Sequence, residues 1–122
     1  MKQDGTQPAV EQSARGLGVR AEGTPRDVEP DGDGMVYPRG GGMSVAPDDP
    51  MNLQQHRRPE DWGGTGKDPL WQITVDDVPA ELEYRSDKIG HGLVEPANAV
   101  LLEDYREHLA GTAPTWSLKP YE

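Results

Sequence analysis

Residues 91–111 read "HGLVEPANAVLLEDYREHLAG" and carry two patterns in succession. "HGLVE" (91–95) has the short alternation of a strand. "EPANAVLLEDYREHLAG" (95–111) is the one clear helix of the chain. Pro96 suits the first helical position, and Gly111 suits the residue just past the end. Val100, Leu101, Tyr105 and Leu109 fall on one helical face, with Glu103, Arg106 and Glu107 outside it. His108, when charged, complements the helix dipole near the C-terminus. Glu95 stands where the strand hands over to the helix. It reads either as an acid favoured by the positive helix N-terminus or as a carboxylate held at the mouth of a cleft.

Upstream of that junction, "ELEYRSD" (81–87) alternates around Leu82 and Tyr84, and "LWQITV" (70–75) sets Trp71, Ile73 and Val75 against Leu70, Gln72 and Thr74. Each predicts a half-buried strand. "GMVYP" and "GMSVA" are two further short strands joined through "RGGG" (39–42), as a hairpin, a bulge or a ligand loop. Residues 47–69 form a long polar connection of the kind that is functional or disordered. Residues 1–33 hold no Trp, Tyr, Phe or Ile, and their apolar residues follow no period, which predicts disorder apart from local order near Leu17 to Val19. The sum is a small α+β, strand-rich domain over 34–122, with about five short strands and one C-terminal helix, behind a mostly disordered segment at 1–33. Trp116 in the tail is expected to pack back on the sheet.

Composition narrows the function. The net charge is −10, from 22 acids against 12 bases. That argues against nonspecific nucleic-acid binding and against docking on an anionic membrane. It suits a basic protein partner. No cysteine is present, which removes disulfides, thiol nucleophiles and Cys-type zinc sites. No apolar run approaches the roughly 20 residues of a membrane span, and the N-terminal stretch lacks the apolar core of a secretory signal. A cytoplasmic protein, or one exported without a cleaved signal, is expected.

The short motifs are weak one by one. "GGTGK" (63–67) invites comparison with a phosphate loop, but Asp61 stands where the first glycine is needed and Asp68 where a Ser or Thr is needed. His56, His91 and His108 show no helical pairing for a metal. In a strand, His91 and Glu95 share a face about 13 Å apart at about 3.3 Å per residue. That span is too long for one ion and suits the two ends of an elongated ligand. Arg57 and Arg58 in "HRRP" (56–59) put two phosphate-matching forks on a loop, with a solvated loop as the plainer reading.

Taken in order, "DGMVYPRGGGMSV", the paired arginines, "LEYRSD" and "HGLVEPANAVLLEDYREHL" resemble the ADP-ribosyltransferase-fold toxin family typified by a small exported effector of type VI secretion. The resemblance spans about residues 31–110. It implies a cleft for NAD, used as substrate, and cleavage of its N-glycosidic bond through a cation-like sugar. On that reading Ser44 opens the middle strand and braces the site. His91 holds the ribose or nicotinamide side, and Glu95 stabilises the sugar cation. Arg39, Gly41 and Gly42 present charge and amides to the pyrophosphate, with Arg57 and Arg58 beside it. No metal is implied. A protein target or an immunity protein is the implied partner. A non-catalytic remnant that binds a basic partner is the alternative. The family also implies a first strand bearing an arginine, so either "LGVR" (17–20) supplies it or the chain is a shortened member.

Overall fold

The structure is a computed structural model that describes residues 1–13 and 15–119. Among them are nine short strands: β1 (Gln3–Asp4), β2 (Gln7–Pro8), β3 (Met35–Val36), β4 (Met43–Val45), β5 (Trp71–Gln72), β6 (Leu82–Lys88), β7 (His91–Pro96), β8 (Val100–Leu101) and β9 (Ser117–Leu118). The helix α1 is Leu102–Gly111. The architecture is the expected strand-rich α+β domain with one C-terminal helix. The strands gather into a central antiparallel sheet, β4-β7-β6, and three two-stranded pairings: β1-β2, β3-β8 and β5-β9.

The helix begins later than the sequence pattern suggests. Val100 and Leu101 are not its first turn but a strand, with Val36 opposite Val100 and Met35 opposite Leu101. The Leu102 N–H then donates to Gly34 O at 2.9 Å. Pairing with β3 satisfies the backbone that a longer helix would have satisfied internally, so tertiary contact overrides local period. Glu103 and Asp104 occupy the first turn and His108 the last, both favourable to the dipole. Tyr105 and Leu109 face inward as expected. Thr112 closes the helix, its hydroxyl donating to Leu109 O at 2.6 Å and accepting from Trp116 Nε1 at 2.9 Å. Trp116 is thereby buried in the core.

β3 and β4 do not form a hairpin, because β3 pairs with β8 and β4 with β7. "LWQITV" keeps only two strand residues. Past Thr74 the chain enters a 3-10 turn at Val75–Asp77, where the Thr74 hydroxyl donates to Asp77. Val75 is therefore solvent-exposed, although alternation placed it with Trp71.

The first 33 residues depart furthest from expectation. Leu17, Val19, Ala21 and Val28 lie in the same core cluster as Val36, Met43, Tyr105 and Leu109, with Leu17 and Val19 at 1% and 0% exposure. Disorder was expected because no period links these residues. Their burial comes from a chain that doubles back. The Leu17 N–H donates to Ala9 O at 2.7 Å, Glu11 N–H donates to Leu17 O at 3.1 Å, and Arg106 Nη2 reaches Val19 O at 3.1 Å. Gly18 permits the crossing, since a Cβ there would lie 1.8 Å from Glu11 O. No helix among the described residues is long and apolar enough to cross a membrane.

Candidate functional site

Register in the central sheet decides which side chains can meet. On β7, Val94 pairs with Met43 and Tyr84 and faces the core with Leu82. Neighbours along a strand alternate faces, so His91, Leu93 and Glu95 share the opposite face. Ser44 and Arg85 both pair with Leu93, and Glu83 pairs with Glu95. Ser44, Arg85, Glu95 and His91 therefore stand on one face. Ser44 is one diagonal step from His91 and one from Glu95, each about 7–8 Å between backbones.

The helix starts at Leu102, so Glu95 lies inside β7 and not at a helix N-terminus. Its carboxylate is enclosed and paired with Arg85, whose own side chain is 34% exposed. Glu95 is 2% exposed. Arg85 Nε donates to Oε1 at 2.7 Å and Arg85 Nη2 to Oε2 at 3.0 Å, a bidentate fork. The Gly41 N–H adds a long bond to Oε2 at 3.3 Å. The Arg85 guanidinium is held even further above its ordinary pKa, first by the hydrogen bonds to Glu95 and then by its charge. Sequence reading passed over Arg85. A Glu and an Arg ten residues apart, on either side of a hairpin turn, was the available signal.

The same hairpin carries the other end of the face. His91 Nδ1 lies 2.6 Å from Asp87 Oδ1. The hydrogen bond from His91 holds the Asp87 carboxyl below its usual pKa. A register shift between Ser86 and Lys88 turns Asp87 toward the histidine.

The triple glycine serves the protein's own backbone. Gly41 has φ +103°, and a Cβ there would lie 2.4 Å from Asp27 O. Gly41 also bridges Val28. A Cβ on Gly42 would lie 2.5 Å from Val94 O and 2.9 Å from the Tyr105 hydroxyl. That hydroxyl donates to Val94 O and accepts from Met43 N–H at 3.1 Å. Burial pushes its pKa well above the ordinary tyrosine range. The Gly41 amide points at Glu95 through its long bond of 3.3 Å. Arg39, at φ 65°, is exposed in the turn closed by Gly40 N–H to Tyr37 O at 3.0 Å.

The paired arginines part company. Arg58 turns into its own loop, with Nε donating to Leu53 O at 3.1 Å and Nη1 donating to Trp62 O. Its Nε and Nη1 staple residues 51–62. Arg57 instead lines a cleft of about 520 Å³ formed with the N-terminal segment and with Lys67. Among the described residues no three His, Cys, Asp or Glu side chains gather as a metal site.

A family model described as the Tse2 ADP-ribosyltransferase toxin matches residues 2–116. The match includes the N-terminal segment that the sequence resemblance left outside. No curated protein matches the chain, and no solved structure does.

Proposed function

The chain belongs to the Tse2 ADP-ribosyltransferase toxin family, and from that premise we propose that it cleaves the N-glycosidic bond between nicotinamide and ribose in NAD. The observation that carries this reading is the shared sheet face of Ser44, Arg85, Glu95 and His91. As the bond from ribose C1′ to the nicotinamide nitrogen breaks, its electron pair leaves with nicotinamide. The sugar becomes cation-like, and water or a target nucleophile attacks C1′ and gives up its proton. A fixed negative charge beside the ribose lowers that barrier.

Glu95 is the carboxylate for this task, and Arg85 is its positioning partner. The fork from Arg85 orients both oxygens. The bond from Gly41 is the weak one, at 3.3 Å. A ribose hydroxyl donating to Oε2 replaces it at little cost. Because Glu95 is enclosed, a ribose hydroxyl reaches Oε2 only by displacing the Gly41 amide. Ser44, which is exposed on β4, braces the ribose from the next strand. His91 lies about 13 Å along β7 from Glu95 and contacts the far side of the ligand. In the N-terminal segment "LGVR" forms a single bridge from Leu17 to Val10 and no strand, and Arg20, which follows the buried Leu17 and Val19, is the candidate for the arginine that the family implies.

Titration of NAD into the purified protein, followed by calorimetry, tests this. Saturable heat at or below millimolar NAD is expected, reduced by Ser44→Ala and by Glu95→Gln. Absence of heat at millimolar NAD overturns the proposal.

A second reading is favoured by one observation, the engagement of both Glu95 oxygens. In it the Arg85–Glu95 pair is purely structural, and the acidic protein binds a basic partner without catalysis. A complex that dissociates with salt, together with no heat from NAD, distinguishes it.

A further inference from the structure

The cleft beside Arg57 has a charge that the rest of the chain does not. Its cationic residues are Lys2, Arg15, Arg20, Arg57 and Lys67, with His56 among them. Five of the chain's 12 lysines and arginines thus line one cleft, against two of its 22 acids, Asp27 and Asp68. Counting side chains alone, five cations less two anions leave +3 with histidine neutral, and the Met1 ammonium lines the cleft as well, on a protein whose total is −10. Like charges cost energy to gather, so a cleft of this composition needs a ligand or a scaffold to account for it.

The scaffold comes from separate parts of the chain, tied by backbone hydrogen bonds. The Lys2 N–H donates to Arg15 O at 2.8 Å, Asp27 N–H to Arg20 O at 2.8 Å, and Gly66 N–H to Arg58 O at 2.8 Å. The two acids are already occupied. The Asp27 carboxylate accepts from Arg20 N–H at 2.7 Å, and Asp68 faces the Met1 ammonium, which donates to Pro69 O at 3.1 Å. Lys2 pairs with Glu11 at 3.6 Å, whereas among the described residues no carboxylate pairs with the side chain of Arg15, Arg20 or Lys67. Three cations from two segments are thus left facing a space large enough for a small ligand.

We propose that this cleft is a binding site for a small molecule carrying two linked phosphates, held by Arg15, Arg20 and Lys67. Guanidinium forks suit phosphate oxygens, and the lysine adds a point charge. Three cationic side chains without a carboxylate partner match two linked phosphates better than one. The ligand's source is either the diphosphate of a dinucleotide or a separate phosphorylated molecule. With a dinucleotide as the source the site rests on the reaction proposed above, through Arg20; with a separate phosphorylated molecule it stands apart from it.

The test uses the full chain and inorganic pyrophosphate, titrated at low ionic strength and followed by calorimetry. Expected are saturable binding, at least tenfold weaker binding of inorganic phosphate, and at least a tenfold loss of pyrophosphate affinity in the double variant Arg15→Gln/Lys67→Gln. Both side chains are exposed, so the variant keeps its melting temperature; Arg20→Gln is the second variant and loses affinity in the same direction. Absence of pyrophosphate binding, or equal binding by wild type and variants, overturns the site. Competition by NAD assigns the site to a dinucleotide's own diphosphate, and simultaneous binding assigns it to a separate phosphorylated ligand. Pyrophosphate heat without NAD heat removes the proposed reaction and keeps this site, while the reverse removes this site alone.

Discussion

Glu95 and Arg85 form a pair whose removal from either side has different consequences. Glu95→Gln keeps the size of the side chain but withdraws the charge, so a rate loss on the order of 10²–10³ is expected if the carboxylate stabilises the sugar cation. Arg85→Gln leaves a carboxylate enclosed without its main partner, which lowers both the melting temperature and the rate. Recovery of the rate by Arg85→Lys, which restores charge without the fork, is expected to be partial. Full recovery would show that orientation by the fork is unimportant. Tyr105 offers a test independent of catalysis. Replacing it with Phe removes a buried donor to Val94 O and an acceptor for Met43 N–H, at about 1–3 kcal/mol. Burial raises its folded-state pKa above the ordinary tyrosine value of about 10. The neutral phenol is therefore favoured by folding, and its contribution is intact below pH 10 and lost as pH rises above it. Urea unfolding at pH 9 and at pH 11 is expected to show a smaller drop in stability for Tyr105→Phe than for wild type, and an equal drop would contradict this placement of the hydroxyl. Gly41→Ala, with its positive φ and a Cβ 2.4 Å from Asp27 O, is expected to cost about 1–3 kcal/mol.

Among the elements, those whose pattern is local were legible in the sequence and those whose pattern is spatial were not. The β6 and β7 strands and the Tyr105–Leu109 face of α1 follow directly from residue periodicity. The start of α1 does not, because Val100 and Leu101 satisfy a helical period and a strand pairing equally well, and β3 is what selects the strand. The N-terminal segment is the larger lesson. Leu17, Val19 and Val28 are too few and too irregular to show a period, yet they are among the most buried residues. Leu17→Ala is therefore expected to destabilise by about 2–5 kcal/mol, read by urea denaturation. A shift under 0.5 kcal/mol would return this segment to disorder. For the site, the sequence pointed to Ser44, His91 and Glu95, and the register puts them on one face. It could not show that Arg58 staples its own loop or that Gly41 is turned toward Glu95, since both depend on residues distant in the chain or on a turn's direction. Arg85 was missed for the same reason: its partner is defined by hairpin register.

For the whole molecule, two charged regions are set apart: the Arg85–Glu95 pair on the central sheet, with only its carboxylate enclosed, and a basic cleft against the N-terminal segment, on a chain that is acidic elsewhere. The Asp27–Val28 backbone links them, since Asp27 lines the cleft and Val28 bridges Gly41, whose amide meets Glu95. Removal of residues 1–33 takes away one wall of the cleft and four core residues, so the 34–122 fragment is expected to lack cooperative unfolding in urea. A sharp transition from that fragment would contradict the fold described. Membership of a toxin family gives the molecule its class, while the chemistry rests on the sheet face. The direct test is nicotinamide release from NAD by the full chain, compared with Ser44→Ala and Glu95→Gln at matched melting temperature. The account predicts release by wild type, a fall on the order of 10–100-fold for Ser44→Ala and a larger fall for Glu95→Gln. Release that is absent from wild type, or unchanged in both variants, would contradict it.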